Sequence, residues 1–360
     1  MGRLAGLDLL RGVAALSVLG LHLPWPVGLR TLLPRGYLAV DLFFLLSGFV
    51  VAHAYSHRLG SGQQVKRFCL ARVIRLYPLY IVATLIAAAE TLVYACFEGG
   101  TDQNVTIGRV AGSVVTAILV LPTPSEWSVE PMTFFPLVYT AWSLFWELWV
   151  NLLYAIVGAP LRPIVFALLI LLGAIGIGLA EYRYGVAEGA SWHGAWAGGA
   201  RALFSYFLGA ALFRVRQSGH RAPPIPAFLL AMVLLLAFVP PSLGGWAYDV
   251  GCMAVIFPLL VWFGADAKMG PRVRTTSLFW GSLSYSVYLL QAPLLLWLAP
   301  LSVRLERTMP TGGKLALVVD AVVIVLGSWV VTRRVEVPAR RWLLNRLVQG
   351  APTAPAQSAP

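Results

Sequence analysis

The chain has 360 residues, 59% of them hydrophobic and only 12% charged, with a mean hydropathy of +0.77. Such a composition excludes a soluble domain of this size and reads as an all-α, polytopic bundle of transmembrane helices. The net charge of +12 would suit a nucleic-acid binder, but the basic residues stand in short clusters between apolar runs, as membrane topology places them, so nucleic acid is not expected as a partner.

The first apolar run, 8–24, lacks a small-residue cleavage pattern behind a basic start and reads as a retained helix. It carries Asp8, Arg11 and His22. Eleven residues turn an α-helix by about three full turns, so Arg11 and His22 share a face roughly 16 Å apart, with Asp8 close to the same stripe. An ionisable group inside a membrane helix is costly and faces protein or a water-filled path. The plain alternative is an i,i+3 ion pair between Asp8 and Arg11 at the helix end.

Further runs long enough to cross about 30 Å of hydrocarbon occupy 36–56, 77–97, 139–158, 162–180, 197–215, 225–240, 246–264, 279–299 and 314–332, which makes about ten spans. The second holds Asp41, His53 and a Ser47-Gly48 pair, the third Glu90, and later ones Glu147 and Arg201. These intrusions predict several helices lining one polar cavity. Asp41 lies at a depth that predicts it to orient the His22 imidazole, as carboxylates orient catalytic histidines; pairing with Arg35 is the alternative. Ser47-Gly48 predicts close helix packing or a hydroxyl offered to the cavity.

The segment 108–121, "GRVAGSVVTAILVL", is short and runs into a proline-rich stretch without Lys or Arg. If it dips into the membrane or lies beside it without crossing, and both termini are cytoplasmic, the inner side receives clusters around Arg3, Arg58 to Arg75, Arg162, Arg214 to Arg221, Lys268 to Arg274 and Arg333 to Arg346. The outer side keeps the sparser Arg30, Arg35, Arg109, Arg183, Arg304, Arg307 and Lys314. That asymmetry is the positive-inside rule. Crossing would invert the later clusters. One membrane domain is expected over 1–349, with 350–360 a disordered tail by composition. Cys69, Cys96 and Cys252 are too few and too scattered for a metal site or a disulfide framework, and are expected to be free and buried.

The motifs, in order, resemble those of the acyltransferase-3 family of integral membrane O-acyltransferases over nearly the whole chain. "LDLLRGVAALSVLGLH" resembles its opening signature through Arg11 and His22. "GYLAVDLFFLLSGFVV" is similar to the next through Gly36, Asp41, Ser47 and Gly48, and "RVIRLYPLY" to the basic motif through Arg72 and Arg75. "WSLFWE" matches through Trp142, Ser143 and Glu147, "RALFSYFLGAAL" through Arg201 and Gly209, and "SLSYSVYLLQAP" and "VEVPARRW" close the series. Where the family usually has His, this chain has Gln291, which hydrogen-bonds but carries no proton near neutral pH.

The resemblance implies acyl transfer from a cytoplasmic acyl-CoA, acetyl-CoA being commonest, to a hydroxyl of a cell-envelope glycan or related glycoconjugate. It implies an enzyme of the bacterial cytoplasmic (inner) membrane with no permanently bound cofactor and no metal. Without the extra hydrolase-like domain of some relatives, the expected enzyme completes the transfer itself or hands the acyl group to a separate envelope protein. Lys66, Arg67, Arg72 and Arg75 form the densest inner basic cluster and are expected to bind the donor's phosphates, since a guanidinium donates paired hydrogen bonds to them. His22, Arg11, Asp41 and Glu147 are the expected catalytic set. Asp8, Ser47, Trp142, Arg201, Tyr285 and Gln291 are expected around the cavity or the acceptor. The competing reading from intramembrane charge is a secondary transporter or glycan exporter, against which no internal repeat or paired broken helices stand out.

Overall fold

The computed structural model describes residues 3–23, 32–55, 62–98, 105–157, 163–184, 188–239, 245–309 and 311–349. Arg30, Arg58, Arg162 and the tail 350–360 lie outside the described residues. The described chain forms α1 (Ala5–His22), α2 (Ala39–Tyr55), α3 (Gly62–Val93), α4 (Ile107–Ile118), α5 (Ala141–Val157), α6 (Pro163–Tyr184), α7 (Ala195–Gln217), α8 (Ala227–Phe238), α9 (Gly245–Gly264), α10 (Pro271–Thr308) and α11 (Gly312–Val348). Every predicted span coincides with one of these helices. Seven are long and apolar enough to cross a membrane by length and composition, and α4, α5 and α8 are shorter apolar helices.

A helix satisfies its own backbone groups, which is what an apolar solvent demands. The lipid-facing side is legible in α6, where Ile164, Leu168, Leu171, Leu172, Ile175 and Leu179 are exposed. At the centre α1 packs along α10, and α2 along α7. The second contact needs glycine at two places. A Cβ on Gly48 would collide with the Tyr206 carbonyl, and one on Gly209 with the Leu45 carbonyl, so the helices meet backbone to backbone. The packing expected of Ser47-Gly48 is present, and the Ser47 hydroxyl remains available to the interior.

The twelve residues of α4 reach only about 18 Å, short of the roughly 30 Å of a hydrocarbon core. Thr106 caps its start by accepting from the Arg109 amide at 3.3 Å. After Ile118 the chain reverses at Val120, whose φ of 54° lies in the left-handed region. It then runs back along the helix. Thr123 meets Thr116 at 2.7 Å, the Trp127 carbonyl accepts from Ser113 at 3.2 Å, and the Ser128 carbonyl from Arg109 at 3.4 Å. Segment 108–121 is therefore a short helix along which the following chain folds back.

Two polar clamps sit near the helix ends. Arg35 pairs with Asp249 of α9, which also accepts from Tyr37 at 2.6 Å. The alternative Arg35–Asp41 pair is not formed. Arg216, at the end of α7, donates to both oxygens of Asp266, one of them at 2.6 Å. The three cysteines are free, but only Cys252 is buried; Cys69 is half-buried and Cys96 exposed, which corrects the expectation for those two.

Candidate active site: two chambers on either side of Tyr288

Arg11 of α1, Ser47 of α2, Arg72 and Arg75 of α3, Glu147 of α5 and Tyr285 of α10 converge on one cavity. Pro78 interrupts the hydrogen bonding of α3 within one turn of Arg75, and nearby the Tyr285 hydroxyl donates to the Leu76 carbonyl at 2.7 Å. Ser47 Oγ donates to Glu147 Oε1 at 2.7 Å. Arg72 is buried, lies over the rings of Tyr55 and Phe68, and leaves its Nε without a hydrogen-bond partner. Neither Arg72 nor Arg75 forms an ion pair among the described residues. Arg11 stands 3.8 Å from Asp8, whose carboxylate is already gripped by Arg3 at 3.1 Å through both oxygens. Three guanidinium groups thus meet the single carboxylate of Glu147 in the cavity wall. An uncompensated buried cation is costly, and the excess suits an anionic ligand.

His22 lines a different cavity, with Tyr37, Tyr139, Trp142, Glu188 and Arg201. Its Nδ1 is 2.9 Å from the Val18 carbonyl. A carbonyl only accepts, so in the neutral ring the proton sits on Nδ1 and Nε2 is the basic nitrogen. The Tyr139 ring supports the imidazole at 5.1 Å. Asp41 does not orient it. Asp41 is fully buried, and both its oxygens accept from Arg201, from Nε at 3.0 Å and from Nη2 at 2.7 Å. Arg201 also donates to the Glu188 carbonyl at 3.0 Å and lies over the Trp142 ring at 5.3 Å. The expected Asp41–His22 pair is replaced by an Asp41–Arg201 pair because the close α2–α7 crossing brings those two side chains together.

Residues 4–333 match a family profile described as an acyltransferase domain. The chain belongs to the acyltransferase-3 family. It is therefore an acyltransferase, and its apolar helices make it an integral membrane protein. A relative from Rhizobium radiobacter, named "Protein 2 in picA locus", is 39% identical over 184 residues, which cover 49% of this chain and 94% of that protein. No solved structure matches the chain.

In this acyltransferase the single polar cavity expected from the sequence is divided. Arg11 and His22 lie on one stripe of α1, yet they line two chambers whose walls share Val40 and Tyr288. Lys66 and Arg67 are exposed on α3 and line neither chamber. Asp8 is also outside both; it is packed against Gly281, where a Cβ would come within 2.5 Å of it. Gln291 is fully buried and donates to the Tyr288 carbonyl at 3.0 Å, a supporting position in place of the expected cavity position. His53 packs on Phe213 at 5.2 Å. Tyr288, Tyr139 and Glu188 are site residues the sequence reading missed. Tyr288 had a signal, since it follows Tyr285 by three residues and therefore shares its helix face.

Proposed function

We propose that the acyltransferase moves an acetyl group from acetyl-CoA, bound from the cytoplasm in the Arg11–Arg72–Arg75 chamber, to a hydroxyl of a cell-envelope glycan in the His22 chamber. The observation that carries this reading is the back-to-back placement of a chamber with excess cations and one with a basic imidazole among aromatic rings. Phosphates of the donor would satisfy the guanidinium groups, including the orphan Nε of Arg72. Tyr37, Tyr139 and Trp142 offer flat apolar faces, and Glu188 and Arg201 offer polar ones, a mixture that suits a sugar, whose ring has C–H faces and a hydroxyl rim.

His22 Nε2 takes the proton of the acceptor hydroxyl as its oxygen attacks the thioester carbonyl. The new ester C–O bond forms, the C–S bond breaks, and the leaving CoA sulfur takes the proton from His22, which returns to its neutral form. Arg11 holds the donor, and Glu147, tethered by Ser47, balances the charge at the inner end. A route in which His22 carries the acyl group briefly uses the same nitrogen. The deciding measurement is mass spectrometry of acids released by mild base from envelopes of wild-type and deletion strains. Loss of acetate from a glycan still exported supports the reading. An unchanged acid profile with impaired export would replace it by transport. A reporter should read cytoplasmic at Arg221 and external at Glu130.

A further inference from the structure

We infer that Tyr288 is the residue that selects the acceptor hydroxyl over water: its side chain is the septum between the two chambers. This rests on the proposed two-sided transfer. Tyr288 and Val40 line both cavities. The Tyr288 hydroxyl meets the Ser143 hydroxyl at 2.9 Å and donates to the Thr140 carbonyl at 3.2 Å, latching α10 to the start of α5. Phe43 holds the ring edge-on at 5.6 Å, and Gln291 fixes the backbone beneath it. The residue is 6% exposed.

An acyl donor on one side and a wet acceptor chamber on the other create a hazard. Water that reaches the thioester adds to its carbonyl, the C–S bond breaks, and free acid and thiol are wasted. Excluding water from the reacting atoms prevents that side reaction. The latch is made of hydroxyls and a carbonyl, with no ion pair, so it can release when an acceptor fills the outer chamber. Val40, the other residue that lines both chambers, has no polar group to latch.

The test has two arms. In purified enzyme, Tyr288→Ala should raise acceptor-independent hydrolysis of acetyl-CoA by about tenfold or more, and Tyr288→Phe, which keeps the plug and loses the latch, should raise it less. In the second arm Cys69, Cys96 and Cys252 are replaced and Ser284, on the donor side, is made Cys. A membrane-impermeant thiol reagent added from outside should leave this cysteine unlabelled with Tyr288 present and label it in Tyr288→Ala. Val40→Ala should reproduce both effects from the other shared lining residue, which covers misfolding of the tyrosine variant. Equal labelling with and without Tyr288 overturns the inference. So does a Tyr288→Phe enzyme that loses transfer as completely as Tyr288→Ala with no gain in hydrolysis, which would make the hydroxyl a chemical participant. The labelling arm needs no acyl donor, so failure of the CoA reading alone would silence hydrolysis and leave labelling intact.

Discussion

Arg72 and Arg201 are both buried arginines, each lying over aromatic rings, yet they serve opposite ends. Arg201 spends its charge inside the protein, on both oxygens of Asp41. Arg72, with Arg11 and Arg75, faces one carboxylate among three cations and keeps an unsatisfied Nε. A neutralised cation is part of the scaffold; a cation in excess is part of a binding site. The His22 chamber is therefore built on a closed ion pair and the Arg72 chamber on an open charge deficit.

The sharpest way to break this contrast is at His22. His22→Ala should lower transfer by about 10²–10⁴-fold, the range of a general base, with membrane abundance unchanged, measured as acetate transferred per inserted protein. His22→Gln should fall as far, because it keeps hydrogen bonding and loses basicity; substantial activity there would make His22 structural.

Next comes the closed pair. Asp41→Ala leaves a buried guanidinium without its partner and should cost about 3–5 kcal/mol of stability, read as loss of folded protein in detergent melting. Asp41→Leu combined with Arg201→Met should recover much of the folding but not the activity. If Asp41→Ala instead left folding intact and abolished only turnover, the pair would belong to the chemistry.

The open charges should behave differently. Arg72→Gln or Arg75→Gln should raise KM for the acyl donor about tenfold or more, as expected for a lost charge-assisted hydrogen bond, with little change in melting. Lys66→Gln and Arg67→Gln should do neither. Arg11→Lys should not rescue fully, since it keeps charge and loses the planar fork.

The smallest effect lies outside both chambers. Arg216 donates to Asp266 and holds its carboxyl below the ordinary aspartate range. The pair's contribution is complete above the unfolded value of about 3.9 and is lost as pH falls through the lowered folded value. Asp266→Asn should flatten the acid limb of a melting-temperature profile and leave the neutral range only slightly altered.

The helices were legible because a membrane segment must satisfy its own backbone groups, so length and apolarity suffice. The shortness of α4 was legible because its apolar run ends early in a proline-rich stretch. Partner choice was not. Asp41 and Arg201 are 160 residues apart, and Arg35 and Asp249 are 214 apart; sequence places such residues at a depth but does not set the rotation of each helix about its axis. For the same reason Asp41 was matched to His22, at similar depth, and the shared stripe of Arg11 and His22 predicted one cavity where there are two. The wall between them comes from α2 and α10, which the spacing on α1 could not show.

That wall also has an electrical meaning. In the proposed two-sided arrangement the potential falls mainly across the thin layer left between the chambers, the width of Val40 and Tyr288. A whole charge carried across a full drop of 100 mV exchanges about 2.3 kcal/mol with the field. An acyl group is neutral, and the acceptor's proton passes by way of His22 to the leaving sulfur, so proton and electron pair cross together. The proposed transfer therefore moves a chemical group through the focused field without moving charge through it, and its rate should be indifferent to the voltage of the membrane that holds it.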